Sequence, residues 1–340
     1  LEIMGVPELI SAQEIENATT QGQTPHLSVI VPAYNVDPYL DKCLQSICDQ
    51  TFTDFEVILV NDGSTDNTLA ICESWVQRDK RIRLIDQENQ GLAEVRNIGL
   101  RESRADMIMF VDSDDWLELD AIEHLLKLKE KQKAQISIGG YVIEKEGVQI
   151  HNKQVGDRLL TGQQAYLLNL YDRALQSYCW AKIFDKSLFE GIKYPTGQYM
   201  EDYCVTYLVL LRAQHVACSS KIIYHYLSRE TSILNDSTLH DIRTAAFFEM
   251  LTTRYEHAKT AGYLTKRQFA LWRLKVIRRI VRTTLEGRTY GRYMPGTPEM
   301  RSAFSFLSFA CGKPVQEKDL KRIYAWTRRK KIFAILFGWL

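Results

Sequence analysis

The chain has 340 residues, and its 43 Lys and Arg nearly balance its 42 Asp and Glu, which leaves a formal net charge of +1. This balance argues against a nucleic-acid-binding protein, because such proteins present a basic excess to the phosphates. Its seven cysteines include no Cys-x-x-Cys pair, so they give no zinc motif and are typical of a reducing compartment. A chain of this length and ordinary apolar content predicts a large core and two domains.

The first 26 residues are predicted to be an N-terminal extension. Ser11 to Thr19 has the pattern of a short helix, and a polar linker follows from Thr20 to Pro25. The segment has no charged stretch followed by an apolar one, so we expect no signal peptide here.

Three short apolar runs bounded by turn residues come next, at Leu27 to Pro32, Phe55 to Val60 and Met107 to Val111. Each run predicts a buried strand. Helical patterns lie between them, roughly from Tyr39 to Gln50 and from Asn67 to Gln77. This alternation predicts an α/β fold with a doubly wound, mostly parallel sheet, in which ligands bind beyond the carboxyl ends of the strands.

Two carboxylate clusters stand at the ends of these strands. Asp62 follows the second strand, and Asp112, Ser113 and Asp114 follow the third. An unpaired buried carboxylate is costly, so a ligand or cation is the expected partner. Asp112 and Asp114 alternate along the chain, where they can hold Mg²⁺ or Mn²⁺ and leave its other positions for phosphate oxygens. The alternative is an acidic turn in which Asp115 caps the next helix.

The first cluster also has a structural explanation. Asp62 and Gly63 form a turn sequence, and Asp66 is placed to cap the helix that begins near Asn67. That capping leaves Asp62 as an acceptor suited to the ring N–H of a pyrimidine base.

Four segments carry a family resemblance: Ser28 to Asn35, Val60 to Thr68, Asn89 to Leu100, and Asp112 to Trp116. In this order and spacing they resemble the signatures of family 2 glycosyltransferases of the GT-A fold, over residues 27–232. The resemblance implies a Rossmann-like twisted sheet flanked by helices, with a nucleotide-binding half (27–116) and an acceptor-side half (117–232). It also implies transfer of a sugar from a nucleotide diphosphate, most often UDP, to an acceptor hydroxyl with inversion at the anomeric carbon.

The resemblance also assigns roles on the donor side. Asp62 would bind uracil, Asp112 the ribose, and Asp114 would be the metal ligand that bridges to the diphosphate. Many relatives have Glu at the position of Asp37, whose side chain is one methylene shorter. Arg96 is expected at the donor site, although an Arg on a helix is otherwise typical of a solvated face. Pro32, Ala33 and Tyr34 are expected to line the base. The full set of residues expected to bind the nucleotide sugar is Pro32, Ala33, Tyr34, Asn35, Asp37, Asp62, Asn89, Arg96, Asp112, Ser113, Lys182 and Arg229.

The acceptor side needs a base that removes the hydroxyl proton while the bond to C1 forms. Met200 to Tyr203 precedes an apolar stretch and is similar to the family's Glu-Asp pair. We therefore predict Asp202 as the catalytic base and Glu201 as its neighbour or an acceptor contact. The alternative is a pair of first-turn carboxylates that complement the helix dipole.

Three further residues have two interpretations each. Trp180 is expected either to stack on an acceptor sugar or to belong to the core. Lys182 either approaches the diphosphate or only extends along apolar surface. His225 is either a satisfied strand residue or, as the resemblance implies, a second metal ligand. The resemblance also implies that Arg229 falls where a loop closes over the diphosphate.

Residues 233–340 are predicted to form a helical add-on domain, because the chain turns helical and basic from about Asp241. The apolar tail 332–340 follows a basic run and is too short to span a bilayer. We expect this tail either to lie in the headgroup region behind its basic anchor or to dock onto its own domain.

The sequence therefore predicts a metal-dependent hexosyltransferase that uses a UDP-sugar with Mn²⁺ or Mg²⁺, in the cytoplasm or at the inner face of the cell membrane. The resemblance implies that the hexose is glucose, galactose or an N-acetylhexosamine, and that the acceptor is a glycan, a lipid-linked sugar or a glycoprotein of a bacterial surface. One alternative is a sugar-nucleotide nucleotidyltransferase, which would carry a Gly-rich phosphate loop where this chain has Pro32 to Asn35. The other is a non-catalytic nucleotide- or carbohydrate-binding module, and the motifs do not fix the donor sugar.

Overall fold

The computed structural model describes residues 24–229, except 146, 154–155, 171–174 and 198–199, together with scattered positions between 250 and 323. The predicted N-terminal helix Ser11 to Thr19 and the apolar tail 332–340 lie outside the described residues, as does most of the predicted domain 233–340.

One mixed sheet with helices packed against it makes up the described part of the chain. Its strands are β1 (Leu27–Ala33), β2 (Phe55–Asp62), β3 (Ile82–Gln87), β4 (Met107–Phe110), β5 (Trp116–Leu117), β6 (Ile136–Lys145), β7 (Val148–Lys153), β8 (Arg158–Thr161), β9 (Lys182–Asp185) and β10 (His215–Leu227). The α-helices are α1 (Asp37–Cys48), α2 (Thr68–Arg78), α3 (Leu92–Glu102), α4 (Ala121–Gln132), α5 (Gly162–Leu170) and α6 (Glu201–Arg212). The predicted helices from Tyr39 and Asn67 are α1 and α2, within two residues at each end.

The sheet has the strand order β3-β2-β1-β4-β9-β6-β10-β5, and β7 and β8 pair with β6 and β10. The first four strands in this order run parallel. Beyond them β9 is antiparallel to both β4 and β6, and β5 is antiparallel to β10. The α/β class is confirmed, and the parallel half of the sheet holds the three predicted strands.

Helices cover both faces of the sheet. Neighbouring residues of a strand point in opposite directions, so they pack against different helical layers. In β1, Val29 packs in the same apolar cluster as Leu44 of α1, whereas Ile30 packs with Ile98 of α3. Gly99 permits the close approach of α3, since a Cβ there would lie 2.3 Å from Cγ2 of Ile30. The carboxyl ends of β1, β2 and β4 therefore meet at one edge between the two helical layers. None of the described helices is both long and apolar enough to cross a bilayer.

Candidate active site

A buried arginine joins the two halves of the predicted site. Arg96 lies on α3 with 1% of its surface exposed. Its Nη2 donates to Oδ1 of Asp112 at 3.2 Å, just beyond the end of β4. Its Nη1 donates to Oδ1 of Asp202 at 2.9 Å and also to Glu201, both at the start of α6. One guanidinium thus connects the predicted nucleotide carboxylate with the predicted catalytic pair.

Asp202 has the surroundings of a general base. It lies with Glu201 in the first turn of α6, which follows Met200 in the left-handed conformation (φ 64°). Burial raises the pKa of Asp202 to about 7, while the nearby Arg96 guanidinium opposes this rise. A carboxylate with such a pKa can take a proton near neutral pH. The position also fits the helix dipole, so both interpretations of the pair describe the same location.

The segment after β4 directs its carboxylates to different partners. Burial raises the pKa of Asp112, although the Arg96 guanidinium acts in the opposite direction. The Nε and Nη2 of Arg229 contact Oδ2 of Asp114 at 2.8 and 2.7 Å. Ser113, which lies between Asp112 and Asp114 in the chain, is buried. The predicted metal ligand and the predicted diphosphate-contacting arginine are therefore partners in this structure.

Asp115 is a residue that sequence reasoning missed. The alternative in which it caps the next helix is wrong, because β5 follows it and α4 begins only at Ala121 with Asp120 as its N-cap residue. Its Oδ2 accepts a hydrogen bond from the hydroxyl of Tyr224 at 2.7 Å, and its Oδ1 accepts the N–H of Leu227 at 2.8 Å. The signal available in the sequence was a third carboxylate directly after the predicted metal motif, but its partners lie more than 100 residues away.

The loops after β1 and β2 are tied together beside the predicted base site. Asn35 has φ 50°, and its side-chain oxygen accepts the N–H of Thr65 at 2.8 Å. Its own N–H donates to Oγ of Ser64 at 3.1 Å. Tyr34 is 48% exposed, so its ring is available to a ligand. Pro32 and Ala33 end the buried strand below it.

Asp66 and Asp37 stand at neighbouring helix starts. Oδ1 of Asp66 accepts the N–H of Thr68, the first residue of α2, at 3.0 Å. Asp66 thus pairs with one N–H at the start of α2, although the N-cap residue is Asn67 and not Asp66. Oδ2 of Asp66 accepts the N–H of Asp37 at 3.3 Å. The half-buried Asp37 side chain lies on the first turn of α1.

Asp62 holds the loop between β3 and α3. Its Oδ1 accepts hydrogen bonds from the N–H of Gln90 at 2.9 Å and from Nε2 of Gln87 at 2.7 Å, and its Oδ2 accepts the N–H of Gly91 at 2.8 Å. An ionised carboxylate has about four acceptor positions, so only one of them is left for a base. The prediction of Asp62 as simply free for uracil is therefore corrected. Asn89 is exposed at the tip of the same loop.

Lys182 and Trp180 lie beneath the site instead of lining it. The buried Nζ of Lys182 donates to the carbonyls of Tyr178 at 2.6 Å and Trp180 at 3.2 Å, and burial lowers the pKa of Lys182 to about 8. Trp180 is 3% exposed and stacks on Tyr178 and Tyr224, with ring centroids 4.4 and 4.6 Å away. The diphosphate contact expected of Lys182 and the acceptor stacking expected of Trp180 are corrected, because neither side chain is accessible.

His225 does not join Asp114 as a metal ligand in this arrangement. Its Nδ1 is hydrogen-bonded to Oε1 of Glu144 at 2.6 Å and its Nε2 to Oε1 of Glu118 at 2.7 Å. The ring also stacks on Trp116, with centroids 5.0 Å apart. Both nitrogens are occupied, so the interpretation as a satisfied strand residue describes His225 better.

The carboxylates fit a divalent cation that is shared with a substrate. No set of three or more His, Cys, Asp or Glu side chains within the described residues is arranged to hold a metal ion alone. Asp112 and Asp114 offer the hard oxygen donors that Mg²⁺ and Mn²⁺ prefer, and substrate phosphates commonly complete such sites. Asp112 and Asp114 are therefore the residues that would hold such an ion together with a substrate diphosphate.

Comparisons with known proteins agree with this geometry. Residues 28–192 match the family model described as glycosyl transferase family 2. Glycosyltransferase GlyG of Streptococcus pneumoniae serotype 4 is 30% identical over 229 residues, which cover 61% of this chain and 72% of GlyG. The chain belongs to glycosyltransferase family 2. GlyA of the same organism is 34% identical to this family 2 member over 260 residues, covering 73% of the chain but 36% of GlyA's own length.

The fold of this family 2 chain is that of the GT-A enzymes. The crystal structure of S. aureus TarS residues 1–349 in complex with UDP-GlcNAc superposes with a TM-score of 0.69 at 20% sequence identity and covers 92% of each chain. The predicted GT-A fold is confirmed by this likeness.

Proposed function

We propose that this family 2 member is an inverting glycosyltransferase that moves a hexose from a UDP-sugar to an acceptor hydroxyl. The observation that carries the proposal is the Arg96 bridge, which brings Asp112 and Asp202 to one guanidinium. A nucleotide-binding carboxylate and a base so close together suit a reaction in which the donor's C1 lies between them.

The donor would bind across the carboxyl ends of the parallel strands. Tyr34 supplies an exposed ring for the base, Asp62 its remaining acceptor position, and Asp112 a carboxylate for the ribose. The loops that follow Tyr34 and Asp62 are joined by hydrogen bonds, and Asp62 also accepts the N–H of Gly91, which favours a preformed nucleotide site. The fold neighbour TarS was crystallised with UDP-GlcNAc, which supports UDP as the nucleotide.

Asp114, assisted by Asp112, would hold Mn²⁺ or Mg²⁺ against the diphosphate. The bound ion would neutralise charge that develops on the departing diphosphate. Arg229 contacts Asp114 at present and lies within reach of the same region, so it would supply a second positive charge there.

Asp202 would act as the base and Glu201 as its neighbour on the acceptor side. The acceptor oxygen forms its bond to C1 as the bond from C1 to the diphosphate oxygen breaks, and the hydroxyl proton passes to Asp202. UDP leaves with the electron pair of the broken bond. Because the pKa of Asp202 is about 7, a large fraction of this side chain is ionised near neutral pH and can accept the proton.

The acceptor is proposed to be a glycan, a lipid-linked sugar or a glycoprotein of a bacterial surface. The relatives GlyA and GlyG are bacterial proteins, which supports a bacterial acceptor. The donated hexose is proposed to be glucose, galactose or N-acetylhexosamine.

Residues 27–232 would form the catalytic domain, and the tail 332–340 would approach the inner face of the membrane. Deleting residues 331–340 should then weaken binding to anionic vesicles; unchanged binding would favour a docked tail.

The decisive experiment is a panel of UDP-sugars incubated with and without Mn²⁺, in which released UDP is followed over time. We expect metal-dependent release from one sugar and its loss in Asp114→Ala. A parallel incubation with a nucleoside triphosphate and sugar phosphates would reveal a nucleotidyltransferase by pyrophosphate formation. UDP binding without release from any donor, with or without added oligosaccharide acceptors, would instead identify a non-catalytic binding module and refute the proposal.

A further inference from the structure

The segment after β4 is fixed to the end of β10 by a buried chain of hydrogen bonds. The backbone N–H of Asp112 donates to the hydroxyl oxygen of Tyr224 at 3.1 Å. That hydroxyl donates in turn to Oδ2 of Asp115 at 2.7 Å, and Oδ1 of the same carboxylate accepts the N–H of Leu227 at 2.8 Å. Asp115 and Tyr224 are both buried, so these bonds are shielded from water.

The Tyr224 ring is itself held by the core of the sheet. It stacks on Trp180 with an interplanar angle of 9°. Trp180 pairs through its backbone with Phe110, the last residue of β4. Tyr224 is therefore linked to the end of β4 both by ring stacking on Trp180 and by its hydrogen bond to Asp115. Its hydroxyl cannot turn away without leaving the N–H of Asp112 and Oδ2 of Asp115 without this partner.

This chain of bonds sets the position of the groups that face the proposed donor. Asp112, whose backbone N–H is hydrogen-bonded to Tyr224, and Asp114 lie at one end of this chain of bonds. On the other side β10 leads, five residues after Tyr224, to Arg229, whose guanidinium contacts Asp114. The carboxylates and the arginine come from segments more than 100 residues apart, and Asp115 with Tyr224 is the buried link between them.

We propose that Asp115 and Tyr224 are positioning residues for the metal–diphosphate end of the donor. They touch neither donor nor metal; they hold Asp112 and Asp114 at a fixed distance from Arg229. This inference rests on the proposed function, because it assigns these groups to a nucleotide-sugar site. Its consequence is that donor binding, and not the proton transfer at Asp202, depends on the Tyr224 hydroxyl.

The test compares Tyr224→Phe and Asp115→Asn with a matched control, Tyr226→Phe, which removes a hydroxyl from a second ring stacked on Trp180. Binding of UDP in the presence of Mn²⁺ is measured by calorimetry on the full chain, and KM and kcat are measured for the active UDP-sugar. We expect Tyr224→Phe to raise the Kd and the donor KM about tenfold, as for the loss of one buried hydrogen-bonded contact, with kcat nearly unchanged. Tyr226→Phe should leave the donor Kd unchanged.

A double-mutant cycle with Arg229→Gln separates positioning from simple loss of stability. If the link positions Arg229, the combined variant should lose less donor affinity than the product of the two single losses. Strictly multiplicative losses, an unchanged Kd with a lowered Tm, or a fall in kcat alone would each overturn the inference. If Tyr224→Phe does not fold, Asp115→Asn carries the same comparison. Wild-type protein that binds UDP with Mn²⁺ but transfers no sugar would refute the proposed function while the binding comparison still decides the inference.

Discussion

Replacing Arg96 with methionine is expected to shift the acid limb of the pH–rate profile of transfer to higher pH. As the proposed base, Asp202 must be ionised to accept a proton, so activity should fall as the pH drops through its pKa, which is about 7 in the native protein. Arg96 is the cation that opposes the rise caused by burial. Without its charge the pKa of Asp202 rises further, and the first unit of this rise lowers the ionised fraction at pH 7 about fivefold.

The same substitution should also destabilise the fold. The guanidinium is 1% exposed and contacts Asp112, Glu201 and Asp202, and removing one partner of a buried ion pair costs about 3–5 kcal/mol. Arg96→Lys keeps a positive charge, so its acid limb should move less.

The assay is kcat/KM for the acceptor between pH 5.5 and 9, at a temperature where circular dichroism shows each variant folded. Arg104→Met is the control, because Arg104 pairs with Glu56 near the amino end of β2, away from the carboxyl ends of the strands. Arg96→Met should be slow at pH 7 and recover most of its rate at pH 9. An unchanged acid limb, or a loss that is equal at every pH, would refute the view that Arg96 keeps the base ionised.

Three other variants test separate parts of the site. Asp202→Asn should lower transfer at least about 100-fold, since it removes the base, while UDP affinity by calorimetry stays nearly intact; full activity would remove Asp202 from this role. Asp114→Ala should abolish the Mn²⁺-dependent part of UDP binding, and retained Mn²⁺ dependence in the same titration would place the ion elsewhere. For Lys182→Met, the folded pKa of Lys182 in the wild type, about 8, lies below its unfolded value of 10.5. Between these two pH values the unfolded wild-type chain binds more protons than the folded one, so the stability of the wild type increases with pH relative to that of the variant. Urea unfolding at pH 8 and 10 measures this, and a constant difference would contradict the buried, readily deprotonated lysine.

The predicted strands, helices and strand-end carboxylates depended only on neighbouring residues. Apolar runs such as Phe55 to Val60 are local patterns, and a parallel sheet buries them wherever they occur. A carboxylate that follows such a run must lie at the carboxyl edge, so the sequence was enough to predict that Asp62 and Asp112 lie there. Resemblance to a family then predicted Asp202 as the base, because its first-turn position alone does not distinguish a base from a dipole partner.

The tertiary structure decided which charge meets which partner. Arg96 neutralises carboxylates 16, 105 and 106 residues away, Tyr224 reaches back to Asp115 across 109 residues, and His225 meets Glu144 and Glu118 instead of Asp114. The burial of Lys182 has the same origin, since only packing against the core places its ammonium under backbone carbonyls. Such pairings depend on contacts between segments that are distant in the chain. A local pattern can indicate that a residue lies in the site, but the fold determines the neighbours that set its charge and its accessibility.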